Sequence, residues 1–170
     1  MNVLKELERA GGCEGGRLVY FLAKPLVEVA NLGRKHITLW PDTKKIMRRF
    51  FPKLDLDQVS FQNNCELPGN WFTPAKNVAA MTFGNRIFFK GKDIQKSWAK
   101  LELLMHELVH VDQVRRYGGE WNFACAYGKG FLAAGNYRDN KLEKEAFDLV
   151  AKNPLPASLP TSLRKLPRQP

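Results

Sequence analysis

From Ser97 to Gly118-Gly119 the chain reads as one uninterrupted helix, and that helix carries His106-Glu107-Leu108-Val109-His110. Ser97 supplies an N-cap and the glycine pair a stop, so a helix from about Trp98 to Tyr117 is expected. On a helix, positions four apart share one face and lie one turn from each other. In a strand the same two positions would stand roughly 13 Å apart. The helix therefore lets His106 and His110 converge on one point. Leu101, Leu104, Leu108 and Val111 form an apolar stripe expected on the opposite side. Such a helix buries the stripe in a core and turns the histidines to a cleft.

Two imidazoles one turn apart are a metal-ligand pattern. Zinc takes neutral imidazole nitrogen and about four ligands, one of them left for water in a catalytic site. Glu107 sits beside the first histidine and cannot easily join the same ion. It can instead take a proton from the bound water as it attacks and return it to the leaving group. The pentapeptide uses two of only three histidines in the chain. A third protein ligand is required, and the candidates are Asp112, Glu120, Asp139, Glu143, Glu145 and Asp148. A final helix from Asn140 to about Lys152 is the natural source. Asn140-x-x-Glu143 has capping-box form, which gives Glu143 a structural task and leaves Glu145 free. Helical periodicity does not separate the two, because both flank the stripe Leu142, Ala146 and Leu149.

The rest of the chain reads as a small α+β protein. Residues 3–9 suggest a short charged helix, and 17–31 a mostly buried helix with Pro25 in its path. His36 to Trp40 and Val59 to Gln62 read as short strands. Between them Asp42 caps a helix over Lys44 to Phe51. Residues 63–76 read as a loop. Val78–Phe83 and Arg86–Lys90 flank Gly84-Asn85, a hairpin signal. Residues 120–139 are rich in glycine and aromatics and leave room for a short helix. Five of the ten prolines lie from Pro154 onward. The division expected is one domain over 1–153 and an extended basic tail over 154–170.

At the helix and just after it, LLMHELVHVDQ followed by YRDNKLEKEAFDLV resembles the small bacterial HExxH metallopeptidase domains. These are minimal zincins of the gluzincin type, some carried by toxin or injection-system cargo proteins. AAMTFGNRIFF, a strand, a Gly-Asn turn and a second strand, is similar to the pattern that precedes their active helix. The resemblance covers about residues 78–150; residues 1–77 and the tail do not enter it. It implies a small, mostly antiparallel sheet packed on the HExxH helix and on a following glutamate-bearing helix. It implies His106 and His110 as zinc ligands, Glu107 as general base, and Glu145, in the Glu145-Ala146 step, as third ligand. Glu143 is the alternative. Gln113, one turn beyond His110, is a candidate to support a ligand from behind. Tyr137 is a candidate to stabilise an oxyanion.

The function expected is zinc-dependent hydrolysis of peptide bonds. The partner is a peptide or protein, held extended along Ala79 to Phe83 as an edge strand. The alternatives are a non-catalytic zincin-fold binding module and a basic nucleic-acid-associated protein. The net charge of +10 keeps the last one open. The basic residues are dispersed, with no dense run interleaved with aromatics, so nucleic acid is not the main partner expected. Three cysteines without a C-x-x-C exclude a four-cysteine zinc site. They also argue against a disulfide framework and for a reducing compartment. No signal-peptide core and no membrane-spanning stretch is seen, and a cytoplasmic location is expected, with export without a classical signal as the alternative.

Overall fold

The computed structural model describes residues 11–68, 78–92 and 94–155. In chain order these form α1 (Cys13–Ala30), β1 (His36–Ile37), α2 (Pro41–Phe50), β2 (Ser60–Gln62), β3 (Ala80–Phe83), β4 (Arg86–Phe89), α3 (Trp98–Arg116), α4 (Glu120–Ala134) and α5 (Lys141–Lys152). The class is α+β, as the sequence implies. The helix expected at 3–9, part of the 63–76 loop and all but the first two residues of the tail lie outside the described residues.

The four strands form one sheet in the order β1-β2-β4-β3. The outer two pairings are antiparallel, and β2 runs parallel to β4. The hairpin β3–β4 has Phe83 opposite Arg86, so two residues make the turn. Gly84 opens that turn at φ 60°, and a Cβ there would sit 2.7 Å from Glu120 Oε1. Only glycine meets both demands without strain. β3 ends the sheet order and packs against α3, which brings the hairpin to the HExxH helix.

The cap on α3 is the one the sequence implies: Ser97 Oγ accepts the Lys100 N–H at 3.3 Å. Leu101, Leu104, Met105 and Leu108 are wholly buried and join Ile46, Met47, Phe61 and Ile87 in the main core. Each such leucine contributes roughly 1.5–3 kcal/mol by leaving water. The opposite side of α3 departs from the sequence reading. His106, Glu107, His110 and Gln113 are also buried, because α5, α4 and β3 pack around the polar face.

Four other expectations are corrected. α2 begins at Pro41 with Trp40 as its N-cap, because proline's fixed φ and missing N–H suit the first helical position. The glycine-rich stretch after Gly119 is not a short helix but the 15-residue α4. Helix α1 is not mostly buried. Only Gly15, Gly16, Ala23 and Val27 are, while Leu18, Phe21, Leu22, Leu26 and Val29 are exposed. The reason is that α1 packs through its small residues. Gly16 meets α4 so closely that a Cβ on it would overlap the Ala124 carbonyl oxygen and lie 2.7 Å from Gly128 Cα. The large residues of α1 are left on the outer side. The same junction holds a disulfide between Cys13 and Cys125, which the odd cysteine count argued against; Cys65 is the free, buried third.

Candidate metal centre

Helix periodicity carries His106 and His110 to one face of α3, and their Nε2 atoms lie 3.2 Å apart. The third group there comes from the first turn of α5. Glu143 Oε2 is 3.1 Å from His106 Nε2, and Glu143 Oε1 is 3.5 Å from His110 Nε2. All three side chains are buried. Four ligands at zinc's bond length of about 2.0–2.1 Å stand about 3.3 Å from one another in a tetrahedron. The observed spacings bracket that value. Two imidazole nitrogens and a carboxylate are also a zinc donor set, so the residues fit the ion.

The carboxylate that the structure brings to the two histidines is Glu143 and not the expected Glu145. Positions 143 and 145 differ by about 200° around a helix, so they cannot both reach the two histidines. Glu145 is turned outward, with its side chain 42% exposed, and pairs with Arg116. The capping-box argument misled because Asn140 caps α5 on its own, accepting the Leu142 N–H at 3.2 Å. Glu143 is then free to point at the histidines, beside Leu142 and Ala146 on the buried side of α5.

Two of the three groups are held from behind. Gln113, fully buried, places Oε1 2.9 Å from His110 Nδ1. An Nδ1–H then has its acceptor and Nε2 keeps its lone pair for the metal. The amide end of Gln113 donates to the Leu142 carbonyl at 2.9 Å and to Glu145 Oε2 at 3.1 Å, tying α3 to α5. Tyr127 of α4 donates its hydroxyl to Glu143 Oε1 at 2.6 Å. The sequence offered no signal for Tyr127, whose value depends on α4 being a full helix.

Electrostatics follow from this crowding. Burial alone would push His110 to its neutral form, but the Glu143 carboxylate beside it outweighs burial and raises the pKa to about 9. Burial opposes charge on Glu143 as well, yet both histidines hold its carboxyl well below the usual range. Burial and the same carboxylate push the Tyr127 and Tyr137 hydroxyls upward, so both stay protonated donors.

Glu107 lies next to the cluster but outside it. Its Oε2 accepts the Thr82 hydroxyl of β3 at 2.6 Å. Thr82 was visible in the hairpin, though nothing in the sequence tied it to Glu107. His106, Glu107, His110 and Glu143 all line one cleft of about 1070 Å³. Tyr137 and residues 78–83 line it too, so the expected edge strand borders the cleft.

Residues 39–118, just under half of the chain, match the family model of the eCIS core domain, named for extracellular contractile injection systems. The matched stretch is similar to that domain and runs from α2 through the HExxH helix. It reaches further toward the N-terminus than the resemblance at 78–150 and stops before Glu143. No curated protein and no solved structure matches the chain. No described helix is long and apolar enough to cross a membrane.

Proposed function

We propose that the chain is a zinc-dependent peptidase of minimal zincin type, acting in the context of an injection system. One observation carries the reading. His106, His110 and Glu143 converge at the spacing of a tetrahedral zinc site, within a cleft that also holds an independent carboxylate, Glu107. Zinc, when bound, supplies a Lewis acid that polarises a carbonyl and makes water acidic enough to lose a proton near neutrality. The chain's own residues do the rest. Glu107, anchored by Thr82, takes a proton from the attacking water and hands it to the leaving amine. Tyr137 offers a protonated hydroxyl to an oxyanion in the same cleft. β3 lies where an extended peptide can pair beside the site.

The test combines metal analysis with turnover of casein and a peptide library, with and without a chelator. Glu107→Gln is expected to keep zinc and lose activity by roughly 10²–10⁴-fold. Glu143→Ala is expected to lose zinc, and Glu145→Ala to retain it. Full activity in Glu107→Gln, or in chelator-treated protein, would overturn the mechanism. A second reading is a non-catalytic zincin-fold module, for which the family match supports only the injection-system association. Stoichiometric zinc with no turnover of any peptide would support that one instead.

A further inference from the structure

The lining of the cleft is divided by charge. Its titratable groups come from α3 and from residues 138–148: Glu102, His106, Glu107 and His110 on one element, Arg138, Asp139, Glu143, Lys144 and Asp148 on the other. The wall built by α1 and α4 lines the cleft with no charged side chain. It consists of Val19, Tyr20 and Ala23 from α1 and Phe123, Ala124 and Phe131 from α4, with Gly16 and Gly128 at the helix contact and Tyr127 beside Glu143. Both tyrosine hydroxyls on this wall are already engaged. Tyr20 accepts the Gly84 N–H at 2.8 Å, and Tyr127 donates to Glu143.

This wall is continuous with the metal cluster. The Phe123 ring lies 6.3 Å from His110, Tyr20 lies 6.0 Å from Phe123, and Phe83 lies 5.2 Å from Tyr20. An uncharged surface therefore runs from the ligand His110 toward the hairpin, with small residues among its aromatics. A charged side chain entering it would lose water among uncharged residues, and the nearby carboxylates Glu120 and Glu143 already have partners in Lys24 and in Tyr127 and the histidines, so its burial is costly. A large apolar side chain would find van der Waals partners. Both helices of the wall lie outside the matched residues 39–118.

We infer that the α1–α4 wall is a selectivity subsite for one bulky, uncharged apolar side chain of the substrate, next to the bond held at His110. The inference rests on the metallopeptidase reading for its orientation, so the experiment separates the two. Zinc-loaded full-length protein is titrated by calorimetry with acetohydroxamate, 3-phenylpropionohydroxamate and the hydroxamate of succinic acid. The phenyl compound is expected to bind at least about tenfold more tightly than acetohydroxamate, and the carboxylate compound no more tightly. Val19→Trp, at a half-buried position, is expected to cut the phenyl advantage below about threefold, and Val19→Asp to do the same by charge. Equal affinities of the first two compounds, or an advantage that survives both variants, would overturn the subsite.

A metal-free arm uses the neutral dye N-phenyl-1-naphthylamine on chelator-treated protein. Its fluorescence gain is expected to fall in Val19→Trp and to persist in Leu22→Ser/Leu26→Ser, which alters only the outer face of α1. If no hydroxamate binds, the metal reading fails, and the dye alone decides the subsite. A gain lost with the outer leucines but not with Val19 would overturn it.

Discussion

Replacing Gln113 by leucine is the sharpest probe of how the site is held. The side chain is fully buried, and leucine has similar volume, so packing is conserved. Three hydrogen bonds are lost: to His110 Nδ1, to the Leu142 carbonyl and to Glu145. The Leu142 carbonyl sits in a helix and still has the bond along α5, and Glu145 keeps Arg116 and water. The uncompensated group is the His110 Nδ1–H, buried without an acceptor, at a cost of about 1–3 kcal/mol. With zinc bound, losing such an outer partner weakens metal affinity by about 10–100-fold, or about 1.4–2.7 kcal/mol. Gln113→Glu returns the acceptor and adds charge behind the imidazole, so its zinc affinity should stay within about threefold of native or exceed it. Its metal-free form should melt lower, because the amide donor to Leu142 is gone and a carboxylate now faces Glu145. Competition with a chromogenic chelator reads the affinities, and thermal unfolding with and without zinc reads the stabilities. Native-like zinc affinity in the leucine variant, or equal weakness in both variants, would refute this account of Gln113.

The metal-free fold should be most stable between about pH 4.5 and 6.5. The raised His110 contributes stability fully present below its ordinary 6.5 and lost as pH climbs through about 9, and the lowered Glu143 contributes stability present above its ordinary 4.5 and lost as pH falls. Melting curves in chelator should therefore drop from pH 6.5 to 9, and His110→Gln should flatten that drop; an unchanged slope in the variant would count against the assignment. Gly128→Ala places a Cβ 2.6 Å from Gly16 Cα and should cost about 1–3 kcal/mol, read as a fall of about 2–4 °C per kcal/mol. Leu22→Ser and Leu26→Ser should each change stability by less than about 0.5 kcal/mol, since both side chains lie on the exposed face of α1, and a larger loss in chemical denaturation would show that face to be covered.

The parts of this fold that local chemistry determines were legible. Ser97, the glycine pair at 118–119 and an unbroken 3.6-residue pattern define α3, and Gly84-Asn85 defines the hairpin. What escaped depends on distant packing. Whether Glu143 or Glu145 meets the histidines is a question of the rotation of α5, and the sequence offers two acidic residues on either side of one apolar stripe. Asn140 decided it by capping α5 alone, without the reciprocal help that a capping box would demand of Glu143. The exposure of α1 was hidden for a related reason. Its apolar residues outnumber its small ones, and periodicity points to the large side as the core face. Close approach of backbones at Gly16 and Gly128 reverses that choice, and such an approach is invisible until the partner helix is known. Thr82 and Tyr127 are ordinary residues whose roles exist only once β3 and α4 are set against the cluster.

The site's parts are unequally distributed along the chain, and that has a physical consequence. The matched stretch supplies His106, Glu107, His110, Gln113 and Thr82. Glu143, Tyr127 and Tyr137 come from beyond it. Two histidines one turn apart form wherever α3 is helical, but two neutral donors make a weak and unspecific site. The carboxylate supplies the negative charge and the third corner, and it reaches that corner only when α5 is packed on α3 through Leu142 and Ala146. Gln113 spans this same junction, bonded to a ligand at one end and to the backbone of α5 at the other. On the metal reading proposed above, ion binding and the docking of α5 are one equilibrium. Whatever stabilises the α3–α5 contact raises affinity for the ion, and the ion in turn holds α5, and with it the charged wall of the cleft, in place.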